Sequence, residues 1–82
     1  MTPDQATADA RQALAAAGVT RSRITSTAMG YSQHLGGDVI ETSAKISGAD
    51  FDAAMCALLL LPRVTLCSDQ RGCATVYRLV QS

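Results

Sequence analysis

The chain has 82 residues, 48% of them hydrophobic, and its seven basic residues balance seven acidic ones. This size predicts one domain over residues 1–82, and the apolar fraction argues against disorder. A neutral chain gives no global signal for nucleic-acid binding, which draws on basic residues. The longest apolar run is too short for a membrane helix, and the N-terminus lacks a secretory pattern, so we expect a cytoplasmic protein.

The first predicted element is a helix at the N-terminus. Thr2-Pro3-Asp4-Gln5 combines a capping threonine, a proline at the first helical position and the glutamine of a capping box. We expect the helix to reach about Ala17, where Gly18 is a left-handed stop and Val19 folds back. Its apolar inner face comprises Ala6, Ala10, Ala13, Leu14 and Ala17. Its polar side chains, expected to point mostly outward, are Thr7, Asp9, Arg11 and Gln12.

Two strands are predicted next, over residues 21–29 and 39–47. Both segments alternate and are rich in β-branched side chains, which is typical of strands. The glycine-flanked segment 30–37 between them predicts a loop or a hairpin tip, and it holds the only histidine, His34. The side chains expected to face inward are Ile24, Ser26, Ala28, Ile40, Thr42, Ala44 and Ile46. Val39 and Glu41 are expected on the opposite face.

The second helix is apolar on almost every side. It is predicted to start at Ser47 or Gly48 and to end at Pro62. One face carries Phe51, Ala54, Met55, Leu58 and Leu61. The opposite face, where a surface helix normally carries charged side chains, holds Ala53, Cys56, Ala57 and Leu60. Because a domain this small can cover only one side of such a helix, the excess apolar surface predicts a protein partner at these four residues.

A hairpin closes the chain, with strands predicted over residues 63–67 and 73–80. A register that sets Leu66 opposite Ala74 creates an apolar face on the hairpin. The same register places Cys67 opposite Cys73 and Arg63 opposite Tyr77. Opposed cysteines lie near disulfide range, so a labile redox pair is an alternative to reduced thiols. An odd total of three cysteines fits reduced thiols.

The elements follow one another as helix, strand, strand, helix, strand and strand. This order predicts an α+β fold, namely a permuted ferredoxin-like two-layer sandwich in the order αββαββ. Its four-stranded antiparallel sheet would carry two helices on one face. The open face would then present Arg23, Arg63 and Tyr77, which is an alternative binding surface for single-stranded nucleic acid, although the closely spaced aromatic residues of RNA-binding sheets are missing.

The residues that could take part in catalysis or metal binding do not form a catalytic or metal-binding pattern. His34 has no acidic neighbour within three residues, and a general base needs a positioned partner. Asp50 and Asp52 suit the positive end of a helix dipole. The cysteine spacing lacks the close pair of a structural zinc site. We therefore predict a protein that is not an enzyme, with no catalytic residue, metal or cofactor.

A short α+β chain with spare apolar surface and without a catalytic constellation resembles small phage-encoded inhibitors, the anti-CRISPR proteins among them. The resemblance is one of type and covers no aligned residues. It implies a non-enzymatic protein-interaction module that binds and blocks a larger host complex. The partner expected is a protein, in a heterologous complex or a homodimer, and neither a nucleic acid nor a membrane. A self-assembling structural or ring-building domain is the alternative from another class.

Overall fold

The computed structural model describes the backbone of residues 1–20, 22–70 and 72–80, and their side chains except those of 65–70. Its elements are α1 (Pro3–Ala16), β1 (Ser22–Ser32), β2 (Gly37–Ile46), a 3₁₀ turn (Gly48–Asp50), α2 (Phe51–Leu59), β3 (Val64–Gln70) and β4 (Cys73–Val80). The predicted α+β character is confirmed. Neither of the α-helices described is long and apolar enough to cross a membrane.

Helix α1 begins and ends where its capping residues predict. The Gln5 backbone N–H donates to Thr2 Oγ1 at 3.2 Å, and the Thr2 N–H donates to Gln5 Oε1 at 2.9 Å. At the other end, Gly18 has a φ of 84°, and the Val19 N–H donates to the Leu14 carbonyl at 2.8 Å. Both caps satisfy backbone groups that a helix end leaves without partners.

Helix α2 is shorter than predicted. A 3₁₀ turn replaces its expected first turn, and the α-helix ends at Leu59. Pro62 disfavours helical backbone at the residue before it, which explains the early end. The chain leaves the helix through Arg63, whose φ of 65° is the only positive value at a non-glycine residue in the described part of the chain.

The prediction of a permuted ferredoxin-like sandwich, with a four-stranded antiparallel sheet in the order αββαββ, is wrong. Both helices pack on a three-stranded antiparallel sheet, β1-β2-β4, which carries the described core. Strand β3 joins the outer edge of β4, and only its backbone is described beyond Val64. Its ladder is irregular, with a register shift between Val64 and Leu66. The 3₁₀ turn before α2 was also absent from the predicted order.

The predicted register of the β3–β4 hairpin is wrong. Leu66 lies opposite Tyr77, Cys67 opposite Val76, and Cys73 opposite Gln70. The pair of Gln70 and Cys73 closes the hairpin after a shorter connection than predicted, and connection length sets hairpin register. The two cysteines are therefore not cross-strand neighbours, which removes the argument for a disulfide between them.

The core lies between the helices and the inner face of the sheet. Its largest fully buried side chains are Leu14, Ile40, Thr42, Leu58 and Val76. A chain of hydroxyl groups crosses this layer, because Thr7 Oγ1 donates to Ser26 Oγ at 2.7 Å and Ser26 Oγ lies 3.0 Å from Thr42 Oγ1. Thr7, expected to point outward, thus satisfies polar groups on the sheet.

Arg78 lies on the same inner face and is 3% exposed. Its Nη1 donates to Asp9 Oδ2 and its Nε donates to the Pro62 carbonyl, both at 3.2 Å. Asp9 was also expected to point outward, but it turns toward the sheet because a buried guanidinium needs a compensating charge. Through these two bonds β4 holds both α1 and the segment that follows α2.

Candidate functional site

An open groove of about 370 Å³ lies between the C-terminal half of α1 and the outer side of α2. Alanine side chains on both helices leave this space unfilled. All the lining residues are apolar. The helix groove is lined by Ala13, Ala16, Ala17, Ala53, Cys56, Ala57, Leu60 and Leu61. A site of this composition selects ligands by shape and apolar area.

All four residues predicted on the outer face of α2 line the helix groove. Ala53 and Cys56 are exposed, and Leu60 is 85% exposed. Ala57 differs from the prediction, because it is only 9% exposed and belongs to the core cluster. It forms the floor of the groove, while Leu60 stands at its edge.

The α1 side of the helix groove was missed by the sequence prediction, which placed Ala13 and Ala17 on the inner face. In the structure Ala13 is half-buried and packs against the core as predicted, but it also lines the groove, whereas Ala17 is exposed. The absence of any charged residue in α1 after Arg11 was the available signal. A stretch without charged side chains on an exposed helix has the same significance here as on α2.

Arg78 links the two elements that form the walls of the groove. Its guanidinium contacts Asp9 on α1 and the Pro62 carbonyl just after α2. A smaller hollow that continues from the groove is lined by Asp9 and Pro62 as well. The spacing of the walls therefore depends on a buried charge as well as on apolar packing.

The groove has no charge of its own, but the sequence that flanks it is charged. Asp52 is exposed at the N-terminal end of α2, and Arg63 is exposed just beyond its C-terminal end. Between them the chain carries no ionisable side chain except the Cys56 thiol. The outer side of α2 is thus uncharged from Ala53 to the end of the helix, and Arg63 beyond it is bonded to β4, where its carbonyl accepts from the Leu79 N–H at 3.2 Å.

A second cavity, of about 330 Å³, lies at the far end of the sheet on its outer face. This hairpin cleft is lined by Met29, Gly30, Tyr31, Ser32, His34, Leu35, Val39 and Tyr77. Val39, expected to be an outward side chain, is 3% exposed and forms the floor. The β1–β2 register shifts between Ala28 and Gly30, and such a bulge bends the strand locally.

Tyr77 gives the hairpin cleft a polar side. It lies opposite Glu41 in the β2–β4 ladder. Its hydroxyl donates a hydrogen bond to the Glu41 carboxylate, and this bond together with the negative charge of Glu41 raises the pKa of Tyr77. The only histidine, His34, is exposed at the same cleft.

The three residues of the alternative surface predicted on the open sheet face lie at different ends of the sheet. Arg23 lies opposite Lys45, which lies opposite Cys73. Tyr77 is four residues further along β4, a distance of about 13 Å at the rise of an extended strand. Arg63 precedes the edge strand, and its carbonyl accepts a hydrogen bond from the N–H of Leu79, two residues beyond Tyr77 on β4. Arg63 therefore lies toward the Tyr77 end of the sheet and Arg23 toward the other end.

Cys56 and Cys73 are free thiols, the first exposed and the second half-buried. Within the described ranges, no three His, Cys, Asp or Glu side chains are grouped so that they could hold a metal ion.

Comparison of the chain with protein-family models, with curated proteins and with solved structures finds no match.

Proposed function

We propose that the protein is a non-enzymatic protein-interaction module that binds a partner protein in the helix groove. The observation that carries the proposal is Leu60, 85% exposed beside an uncharged groove. Burial of a leucine side chain contributes about 1.5–3 kcal/mol, and interface cores are depleted of charged residues. Leu60 is thus suited to be an anchor, with Ala53 and Cys56 around it.

The partner segment that fits this site is an apolar ridge, such as two or three side chains projecting from a helix. The groove offers no charge that would select a nucleic acid or a polar metabolite. A small chain that covers such a ridge on its partner blocks the partner's other contacts sterically. The proposal is therefore that of a small inhibitor that binds and obstructs a larger complex.

Two glutamate substitutions at neighbouring exposed leucines test the proposal. Leu60 lines the groove, whereas Leu59, 52% exposed, does not. In affinity capture from the native or host cell, Leu60→Glu should lose a partner that both wild type and Leu59→Glu retain. Circular dichroism should show that both variants are folded.

Two results would contradict the proposal. If folded Leu60→Glu captured every partner that the wild type captures, the helix groove would have no role in recognition. If both substitutions abolished capture equally, the effect would come from added negative charge rather than from loss of the Leu60 anchor.

A further inference from the structure

We propose that the outer face of the sheet binds a phosphoryl group between Arg23 on β1 and Lys45 on β2. This cation pair lies on the face of the sheet opposite to α1 and α2, away from the helix groove. The ligand class is free phosphate or a phosphate monoester, whose terminal oxygens carry close to two negative charges at neutral pH. The site adds a second binding function to the chain and does not depend on the groove.

The first argument is the placement of the two cations. Arg23 and Lys45 lie directly opposite each other in the antiparallel β1–β2 ladder. Their neighbours along the strands, Ile24, Ala44 and Ile46, are buried in the core. Both cations therefore lie on the outer face, where both are exposed. Directly opposed residues of such a ladder have Cβ atoms about 5 Å apart, so both side chains can reach one small anion.

The second argument is that the cation pair has no counter-charge of its own. Within the described part of the chain the only ion pair joins Arg78 to Asp9. Neither Arg23 nor Lys45 makes an ion pair or a side-chain hydrogen bond there. Like charges directly opposite each other destabilise a sheet. The unliganded protein therefore contains a repulsion at this position, and a doubly negative ligand replaces it with two attractions.

The third argument is the row of hydroxyl groups beside the cation pair. Thr25 is exposed on the same face, two residues along β1 from Arg23, with about 7 Å between the Cα atoms. It lies opposite Ser43, which lies opposite Thr75, and the hydroxyl oxygens of the last two are 3.0 Å apart. The guanidinium of Arg23 can bind two phosphoryl oxygens and the ammonium of Lys45 a third, while the Thr25 hydroxyl is a further donor.

The charge on the rest of this face limits the ligand to a small anion. Glu41 lies on the same face of β2, four residues before Lys45, or about 13 Å at the rise of an extended strand. Its carboxylate accepts the hydrogen bond from Tyr77, and it would repel a polyanion that continued along the sheet. A single terminal phosphoryl group therefore fits this face better than a nucleic-acid backbone does.

Nuclear magnetic resonance titration of the chain tests the site, with sodium phosphate as the probe and sodium chloride at equal ionic strength as the reference. Phosphate should shift the backbone amide signals around Arg23 and Lys45 along saturable curves, and chloride should not. Arg23→Gln and Lys45→Gln should each weaken phosphate binding about tenfold or more, because a hydrogen bond to a charged group is lost. Arg11→Gln removes the same charge from an exposed position of α1, and this matched control should bind phosphate as the wild type does.

A double-mutant cycle in chemical denaturation tests the repulsion independently. The coupling between Arg23 and Lys45, measured with the two glutamine variants and the double variant, should be repulsive in phosphate-free buffer of low ionic strength. It should become attractive in saturating phosphate, because both cations then hold one anion. In chloride of the same ionic strength the coupling should weaken without changing sign. Circular dichroism should show that all four chains are folded.

Phosphate shifts no larger than those of chloride would overturn the site, as would equal phosphate binding by Lys45→Gln and Arg11→Gln. A coupling that stays repulsive in saturating phosphate would do the same. Two further probes separate the sources of this chemistry. Glycerol 3-phosphate, a monoester, should displace inorganic phosphate. A thymidine decanucleotide without a terminal phosphate that binds more tightly, and shifts amide signals as far as Tyr77, would assign the face to a nucleic-acid backbone instead. Leu60→Glu should bind phosphate as the wild type does, so the site and the helix groove are tested separately.

Discussion

The helix groove and the hairpin cleft have similar volumes, about 370 and 330 Å³, but different chemistry. The groove is walled by alanine and leucine on the exposed side of two helices. The cleft lies on the opposite face of the sheet and includes Tyr77 and His34, with Glu41 hydrogen-bonded to the tyrosine. Two surfaces of this chain are thus suited to different kinds of contact.

The difference shows how composition determines what a concave surface can distinguish. An uncharged groove gains from any apolar ridge of the right shape, so its selectivity depends on packing. A cleft lined by a phenol and an imidazole discriminates by hydrogen bonding. The groove also depends on the core, since Ala57 is its floor and Leu58, the next residue, is fully buried.

The largest effect on stability is expected at Leu58, where the core meets the floor of the groove. Leu58 is fully buried on the inner side of α2, so Leu58→Ala should lower the free energy of unfolding by roughly 2–5 kcal/mol. Chemical denaturation measures this loss, with Leu59→Ala as the exposed control on the same helix. A loss below about 1 kcal/mol for Leu58→Ala would show that the groove floor does not rest on the core.

An intermediate effect is expected at the bond that links the walls of the groove. Asp9→Ala removes the only carboxylate paired with buried Arg78 in the described part of the chain. Asp9 itself is 47% exposed, so solvent screening reduces the loss to roughly 1 kcal/mol. Gln12→Ala, at an exposed position of α1, is the control. Equal stability of both variants in denaturation would show that Arg78 does not need Asp9.

The Leu58 and Asp9 positions also show where prediction from sequence succeeds and where it fails. Local signals fixed the start and stop of α1, because Thr2, Gln5 and Gly18 act within one turn of their own positions. Periodicity identified the inner side of α2, including Leu58. The contact of Arg78 with Asp9 joins residues that are far apart in the chain, and no local pattern encodes it. From the sequence alone, Arg78 could be assigned only to the same face of β4 as Ala74 and Val76.

Sequence likewise predicted one part of the candidate site and missed the other. The α2 wall followed from an apolar helix face, whereas the α1 wall depended on how the two helices pack. The hairpin register failed because apolar matching of Leu66 with Ala74 ignored the bulge and the short connection at Gln70. Val39 was expected to be exposed, and its burial depends on the bulge at Gly30 and the shape of the hairpin end.

A smaller effect, visible only at alkaline pH, is expected in the hairpin cleft. The folded-state pKa of Tyr77 is raised above its ordinary value of 10.0 by Glu41. The folded protein therefore holds this proton more tightly than the unfolded chain does. The resulting stability is fully present below the ordinary pKa and is lost as the pH rises through the raised pKa.

Glu41→Gln removes the carboxylate and should return the pKa of Tyr77 toward its ordinary value. Ultraviolet absorbance titration of the phenolate, in a Tyr31→Phe background, measures this shift. Thr27→Ala, which alters the residue opposite Glu41 on β1, is the control for general disturbance of the sheet. An unchanged titration curve in Glu41→Gln would show that the hydrogen bond does not hold the proton, and that the cleft lacks the polar character ascribed to it.

The smallest effect on stability is expected at Leu60, even though its effect on binding should be the largest. Because Leu60 is 85% exposed, Leu60→Glu should change the free energy of unfolding of the monomer by no more than about 0.5 kcal/mol. Part of that change comes from placing a negative charge at the negative end of the α2 dipole. Leu59→Glu, one position away, experiences the same dipole and serves as the matched control. Thermal melting at a concentration where the chain is monomeric makes the comparison. If Leu60→Glu unfolded the monomer while Leu59→Glu did not, Leu60 would belong to the core, and the helix groove would be a packing feature rather than a binding surface.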